Sequence, residues 1–285
     1  MAGAFGDPEV EKVIADRFAA ELAVCGELME FADAHLVPWS GREPEGEHEL
    51  LIAAEAARGT KSYRAAVRLV ASGYGEQAAM VNRSAFEGMA VAHWISTAPE
   101  DAVTRYKKHT RHNSLLWGKV LTEIEWLDAG DDVPEASEEE WKELTDLFGP
   151  YGTRLWTGHR NLPILVEAIE DLWATNPKEL REFHTVAHRD ANLLLHSGSS
   201  ALNRIGRRLE EAVSFDIGPS NQYIAPALLS AFWVYIQTFS LLMDAFEMPD
   251  REELNKIFTR GTEVFHEGSR LRSGDAEDPP PAPAG

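Results

Sequence analysis

The sequence predicts an all-α protein built as a single large antiparallel helical bundle. Through most of the 285 residues, apolar side chains recur at three- and four-residue steps, the period of an amphipathic helix. No segment between residues 8 and 268 shows sustained two-residue alternation rich in β-branched side chains, so no β-sheet is expected there. The connections between long helices are short, which favours antiparallel neighbours. At least seven helices are expected.

The first half of the chain contains capping and breaking signals that delimit four helices. Asp7 and Pro8 supply an N-cap and a first helical residue, and Gly73 supplies a stop. The loop at 37–46 is dense in proline and glycine. We therefore expect helices at about 8–35, 47–72, 76–97 and 99–127.

The second half of the chain is also predicted to be helical. Ser137 and Glu140 form a capping-box pattern, in which each side chain bonds the other residue's backbone amide. Asn176-Pro177 begins a helix that stops at Ser197-Gly198. The expected helices are at about 138–148, 161–173, 177–196, 202–213, 221–248 and 250–266.

The sequence predicts that the chain is organised in three parts. Residues 1–45 form an N-terminal helix and loop that pack on the bundle, and residues 46–268 form the bundle domain. Residues 269–285 end in Asp-Pro-Pro-Pro-Ala-Pro-Ala-Gly and hold too little apolar surface to order, so they are expected to be a disordered tail.

Composition favours a cytoplasmic protein. The single cysteine, Cys25, excludes a disulfide framework, and the N-terminus lacks a secretory signal. The uncharged segment Tyr223–Met243 is long enough to cross a bilayer, which takes roughly 20 residues. The segment contains several polar residues, and no Lys/Arg cluster flanks it. We therefore expect a buried core helix and no stable membrane insertion.

The formal net charge is −20, but the charges are segregated along the chain. Residues 58–120 carry ten Lys or Arg against four acidic residues, a local net charge of +6. Such a segment could present a basic face to an anionic partner such as RNA. Ordinary solvated helix faces in an acidic protein explain the same pattern.

Arg189, Asp190 and His196 are the candidate catalytic residues. Arg189 and His196 are seven apart, so on an α-helix they share a face two turns apart. Imidazole exchanges protons near neutral pH, and guanidinium stabilises charge on a phosphate. The pattern resembles that of the HEPN superfamily, which implies a metal-independent ribonuclease whose sites are commonly completed across a homodimer. In the alternative, Arg189 bonds the helix behind it and His196 caps carbonyls before Gly198.

Arg83, Glu87, His109 and His112 are candidate ligand-binding residues. Arg83 and Glu87 lie one turn apart in an apolar helix, where an ion pair that fixes helix register is the simplest interpretation. In a functional interpretation they line a cleft with His109 and His112 from the next helix.

No metal site or cofactor is expected. His184 and His188 have the four-residue spacing of helical metal ligands, but no pair of Glu-x-x-His segments supplies the carboxylates. Glycine-rich phosphate loops, nucleophile elbows and paired zinc knuckles are absent from the sequence.

Three strings together resemble a bacterial domain-of-unknown-function family, DUF5677. They are Arg83-Ser-x-x-Glu87, Leu155-Trp156-Thr-Gly-His-Arg and Leu194-Leu195-His196-Ser-Gly. The resemblance covers roughly residues 50–245, and Asn192 stands where the family often has Ser. It implies a helical domain without an established activity.

Two functions fit these patterns. The first is a HEPN-like metal-independent endoribonuclease in stress response or phage defence, and the second is a non-enzymatic helical interaction or ligand-binding protein with a structural polar core. A nuclease needs Arg189 and His196 accessible in a cleft, whereas a scaffold buries them and satisfies their hydrogen bonds internally.

Overall fold

The protein is all-α, as predicted. The computed structural model describes residues 7–39, 44–123, 134–170, 177–189, 191, 206–208, 213–215 and 218–274. Within these residues there are ten α-helices: α1 Pro8–Arg17, α2 Ala19–Trp39, α3 Glu47–Ala71, α4 Gly75–Thr97, α5 Pro99–Glu123, α6 Glu138–Phe148, α7 Leu162–Glu170, α8 Pro177–Phe183, α9 Ile224–Ala245 and α10 Arg251–Gly274. A π-helical segment, His184–Arg189, directly follows α8.

The expected first helix is divided in two at Phe18. This residue leaves the helical conformation, with φ −116° and ψ 25°. Its side chain is buried, and its ring centroid lies 4.9 Å from the guanidinium carbon of Arg272 in α10. Tertiary packing at Phe18 therefore outweighs the helical periodicity on which the prediction of one continuous helix rested.

A small hairpin corrects the prediction of a helix at 202–213 and of no β-sheet. Strand β1, Gly206–Arg208, pairs antiparallel with β2, Val213–Phe215, and Gly206 lies opposite Phe215. Glycine disfavours a helix, while valine and phenylalanine favour a strand. Each strand is only three residues long, so the fold class is unchanged.

The chain divides into two compact units. The first unit comprises Met1–Glu43, Ala54–Met89 and Glu182–Gly285, and the second comprises Pro44–Ala53 and Ala90–Arg181. The domain boundary expected at residue 45 stays a prediction.

Helix α9 is the core of the first unit, as expected for the uncharged segment. It packs against α2 and α10, and its buried side chains include Phe232, Trp233 and Tyr235. In the described part of the chain it is the one helix with the length and composition to cross a bilayer, and 67% of its most apolar stretch is buried inside the protein.

The second unit contains α5, α6 and α7. The Ser137 half of the predicted capping box is confirmed, since the Glu140 amide donates to Ser137 Oγ at 3.1 Å. The Glu140 carboxylate bonds the Arg111 guanidinium of α5. Leu115, Leu144 and Phe148 form the buried apolar contact between α5 and α6.

Helix α10 corrects the predicted start of the C-terminal tail. It continues to Gly274, past residue 269, and Arg272 in its last turn is bonded to the buried carboxylate of Glu21. This ion pair fixes the end of α10 on α2. Residues 275–285 lie outside the described residues.

Candidate functional site

The predicted catalytic residues lie at and beyond the end of the π-helical segment. Arg189 is its last residue, whereas Asp190 and His196 lie outside the described residues. A π-helix bonds residue i to i+5, so the segment changes the helical phase that α-helical spacing assigns to Arg189. Such distortions occur frequently at functional sites. The catalytic assignment of these three residues stays a prediction.

Two histidines of the π-helical segment stack on each other. The ring centroids of His184 and His188 are 5.1 Å apart at an interplanar angle of 17°. The His184 ring also lies 5.8 Å from that of Phe86 in α4. Just before the segment, Phe183 stacks on Trp233 of α9 with centroids 3.7 Å apart. Aromatic contacts to α4 and α9 therefore hold the segment in place.

The His188 imidazole is kept neutral at neutral pH. Burial lowers the pKa of His188 to about 4, and the charges of His184 and Arg83 act in the same direction. A neutral imidazole can accept a proton at one ring nitrogen and donate a hydrogen bond at the other. The segment thus carries a neutral imidazole close to a guanidinium.

Arg83 projects from α4 without the ion pair that its spacing to Glu87 suggested. Its Nε atom is buried and has no hydrogen-bond partner among the described residues. The charge of Glu87 acts instead on Glu55 of α3: burial raises the pKa of the Glu55 carboxyl, Arg58 opposes this effect, and Glu87 adds to it.

Arg58 neutralises Glu55 at the same place. Its Nε donates to the Glu55 carboxylate at 2.8 Å, and Nη1 donates to the Ser84 carbonyl at 3.1 Å. The guanidinium crosses α4 at Gly88, where a Cβ atom would overlap it. We call the group formed within the first unit the polar cluster; its members are Glu55, Arg58, Arg83, Ser84, Glu87, His184 and His188.

Most basic residues of the predicted basic stretch are neutralised by ion pairs. Each of the following pairs lies within one unit: Arg58–Glu55, Arg64–Asp33, Arg105–Asp101, Lys107–Glu47, Lys108–Glu143 and Arg111–Glu140. The partners of Lys108 and Arg111 come from the acidic helix α6. The local charge of +6 in the sequence therefore does not become a broad basic face in these parts of the structure.

His109 and His112 belong to the second unit and lie among aromatic rings. His112 is 0% exposed, and its ring lies 5.7 Å from Trp141 and 5.8 Å from Phe148. Neither ring nitrogen has a hydrogen-bond partner in the described part of the chain. Burial lowers the pKa of both histidines, and His112 adds to the effect on His109. Their assignment to a cleft with Arg83 and Glu87 stays a prediction.

The Trp-Thr-Gly-His string at residues 156–159 forms a turn. In the sequence, this string contributes only to the family resemblance and has no chemical role assigned to it. Gly158 has φ +81°, and the buried Thr157 gives its carbonyl to the Arg105 guanidinium. The Thr157 hydroxyl lies 2.8 Å from His159 Nδ1 and orients that ring. The glycine that follows Thr157 was the sequence signal for this turn.

No group of three or more His, Cys, Asp or Glu that could hold a metal ion occurs among the described residues. His184 and His188 stack on each other and, within these residues, no carboxylate joins them in such a group.

Comparison with known proteins identifies a family. No curated protein and no solved structure matches the chain. The sequence profile of a family of unknown function, DUF5677, matches residues 49–212. The matched span includes the parts of the polar cluster on α3, on α4 and on the π-helical segment. It ends before α9, whereas the resemblance seen in the sequence was expected to continue to about residue 245 and so to include that helix. Because the match covers more than half of the chain, the protein belongs to the family of unknown function DUF5677.

Proposed function

We propose that the protein is a HEPN-like metal-independent endoribonuclease with Arg189, Asp190 and His196 at its catalytic centre. One observation supports this assignment most: the π-helical segment His184–Arg189 leads directly into the predicted catalytic residues and places a neutral imidazole near the Arg83 guanidinium. A hydrogen-bonding imidazole beside a positive charge that no described carboxylate pairs with suits the binding of a phosphodiester.

The proposed reaction uses the ribose 2′-hydroxyl as nucleophile. A general base, His196, removes the 2′ proton while the 2′ oxygen attacks phosphorus and the bond to the 5′ oxygen breaks. A protonated group or water returns a proton to the leaving 5′ oxygen, giving a cyclic phosphate and a free 5′-hydroxyl. Arg189 stabilises the negative charge that develops on the phosphoryl oxygens, and Asp190 orients the arginine. A two-fold partner that contributes a second Arg189–His196 pair and a cytoplasmic location both fit this reaction.

A second candidate is a non-enzymatic helical protein that binds a small ligand or a protein. The observation that favours it is the neutralisation of the basic stretch, because broad RNA contact usually depends on unpaired Lys and Arg. If the protein is a nuclease, it must hold RNA through few phosphate contacts. The salt dependence of RNA binding should then be shallow.

Incubation of the purified protein with total RNA, with and without EDTA, tests the proposal. The nuclease assignment requires cleavage that EDTA does not reduce, and His196→Ala should abolish it because the proton-transfer group is lost. His266→Ala, at an exposed position of α10, is the matched control and should cleave as the wild type does. Absence of cleavage by the wild type, or equal cleavage by His196→Ala, would leave the ligand-binding candidate in its place.

A further inference from the structure

Arg83 carries a buried donor that no residue in the described part of the chain satisfies. Its Nε has no hydrogen-bond partner among the described residues, although the side chain is half-buried. Leaving a buried charged donor without an acceptor is more costly than leaving a neutral one. An acceptor from outside the chain would remove this penalty.

We infer that Arg83, together with His184 and His188, binds the oxyanion of a phosphate group, with Arg83 Nε–H donating to one of its oxygens. The inference deepens the proposed nuclease function and, in its biological role, rests on it, because it names the group that holds a substrate phosphate. The shared chemistry is a tetrahedral phosphate, either free or within a phosphodiester.

The polar cluster is formally neutral, with Arg58 and Arg83 against Glu55 and Glu87, so the attraction for an anion is local to Arg83. Arg58 is bonded to the Glu55 carboxylate, so that carboxylate is already compensated. Arg83 is in no ion pair within the described residues, in contrast to Arg58, Arg64 and Arg105. An uncompensated guanidinium with a buried Nε–H can offer two parallel donors to a phosphate, which a lysine ammonium cannot.

The stacked histidines give the site its preference for phosphate. His184 and His188 lie side by side, and the His184 ring contacts Phe86, which lies about one helical turn after Arg83 on α4. The charge of Arg83 also lowers the pKa of His188. A neutral imidazole can donate a hydrogen bond from its ring N–H to a phosphate oxygen. A chloride ion cannot accept several directional hydrogen bonds in this way.

The test measures thermal unfolding of the full chain in inorganic phosphate and in sodium chloride at matched ionic strength. A ligand that binds only the folded state raises the melting temperature. The wild type and Arg68→Gln should be stabilised specifically by phosphate, since Arg68 is an exposed arginine of α3 in the same unit. Arg83→Gln should bind phosphate at least about tenfold more weakly, the loss expected for a charged hydrogen bond. Arg83→Lys should fall between them.

A second measurement, made on the wild-type protein, tests the inference if Arg83→Gln does not fold. In the wild-type protein labelled at arginine, the Arg83 Nε–H resonance should shift on addition of phosphate and, separately, of a nonhydrolysable dinucleotide, which distinguishes free phosphate from a phosphodiester. The inference is overturned if phosphate and chloride act alike on the wild type, or if Arg83→Gln retains the phosphate effect. RNA cleavage without phosphate binding at Arg83 removes this inference alone. Phosphate binding without cleavage removes the proposed nuclease alone.

Discussion

The two histidine pairs of the protein have similar spacing and different surroundings. His109 and His112 are three residues apart on α5, and His184 and His188 are four apart on the π-helical segment. Burial lowers the pKa of His112 and of His188. The first pair lies against Trp141 and Phe148, whereas the second lies beside Phe86 and the guanidinium of Arg83.

The difference lies in the cation next to each pair. Arg111 follows His109 and precedes His112, but its guanidinium is bonded to Glu140 on α6. Arg83 has no such carboxylate within the described residues. Histidine spacing alone therefore does not distinguish a packed aromatic cluster from a candidate binding site. The uncompensated charge beside the histidines does so.

Replacing His112 should have the largest effect on stability. Because its ring is fully buried between Trp141 and Phe148, His112→Ala should leave a cavity and reduce the free energy of unfolding by about 3 kcal/mol. His112→Phe fills the space and removes two unpartnered nitrogens, so its stability should be close to that of the wild type. Urea denaturation of both variants measures the difference. A large loss in His112→Phe would mean that the nitrogens are needed, and the two pairs would then be alike.

Acid should destabilise the protein through His188. The folded pKa of about 4 is below the usual value near 6.5, so the folded state binds fewer protons than the unfolded chain in this range. The stabilising effect of the neutral imidazole is complete above about pH 6.5 and is lost as the pH falls towards 4. Between pH 7 and pH 4 the resulting loss in the free energy of unfolding is roughly 2 to 3 kcal/mol.

His188→Gln isolates this effect, because glutamine does not titrate. Between pH 7 and 4, the free energy of unfolding of the variant should fall less steeply than that of the wild type. His93, whose pKa burial also lowers to about 4, is present in both proteins and cancels in the comparison. Parallel pH profiles for the two proteins would show that His188 is not buried in its neutral form.

Signals that depend on a few neighbouring residues predicted local structure well. Asp7 accepts the amide of Glu9 at 3.0 Å at the start of α1, and Ser137 caps α6. Gly73 ends α3 with φ +85°, a conformation that glycine adopts without strain. These features are encoded within one turn of the chain, so the sequence reveals them directly.

Features that depend on distant contacts were beyond the sequence. The break at Phe18 accompanies a contact with Arg272, more than 250 residues away. The π-helical segment is held by contacts of Phe183 with Trp233 and of His184 with Phe86. The spacing of Arg83 and Glu87 suggested an ion pair, but the two side chains form none, and Glu87 lies instead close enough to Glu55 of α3 to raise the pKa of that carboxyl. A periodicity argument has no access to such contacts between residues that are distant in the sequence.

The smallest effect on stability is expected for Glu140→Gln, which tests whether a free arginine beside any histidine pair is enough for phosphate binding. The Arg111–Glu140 pair is partly exposed, with a distance of 2.7 Å from Nε to Oε1, and such pairs contribute little to stability. The variant should therefore lose much less stability than His112→Ala. Glu139→Gln, an exposed change of the same charge in the same helical turn, is the control.

Residues 111 and 112 are neighbours on an α-helix and point in directions about 100° apart, so a released Arg111 faces away from the buried His112 ring. Phosphate should consequently stabilise Glu140→Gln no more than it stabilises the wild type, measured by thermal unfolding in phosphate and chloride. If Glu140→Gln gained an additional phosphate response that Glu139→Gln lacked, a released cation would be sufficient, and the buried Nε of Arg83 would no longer be what distinguishes the two pairs.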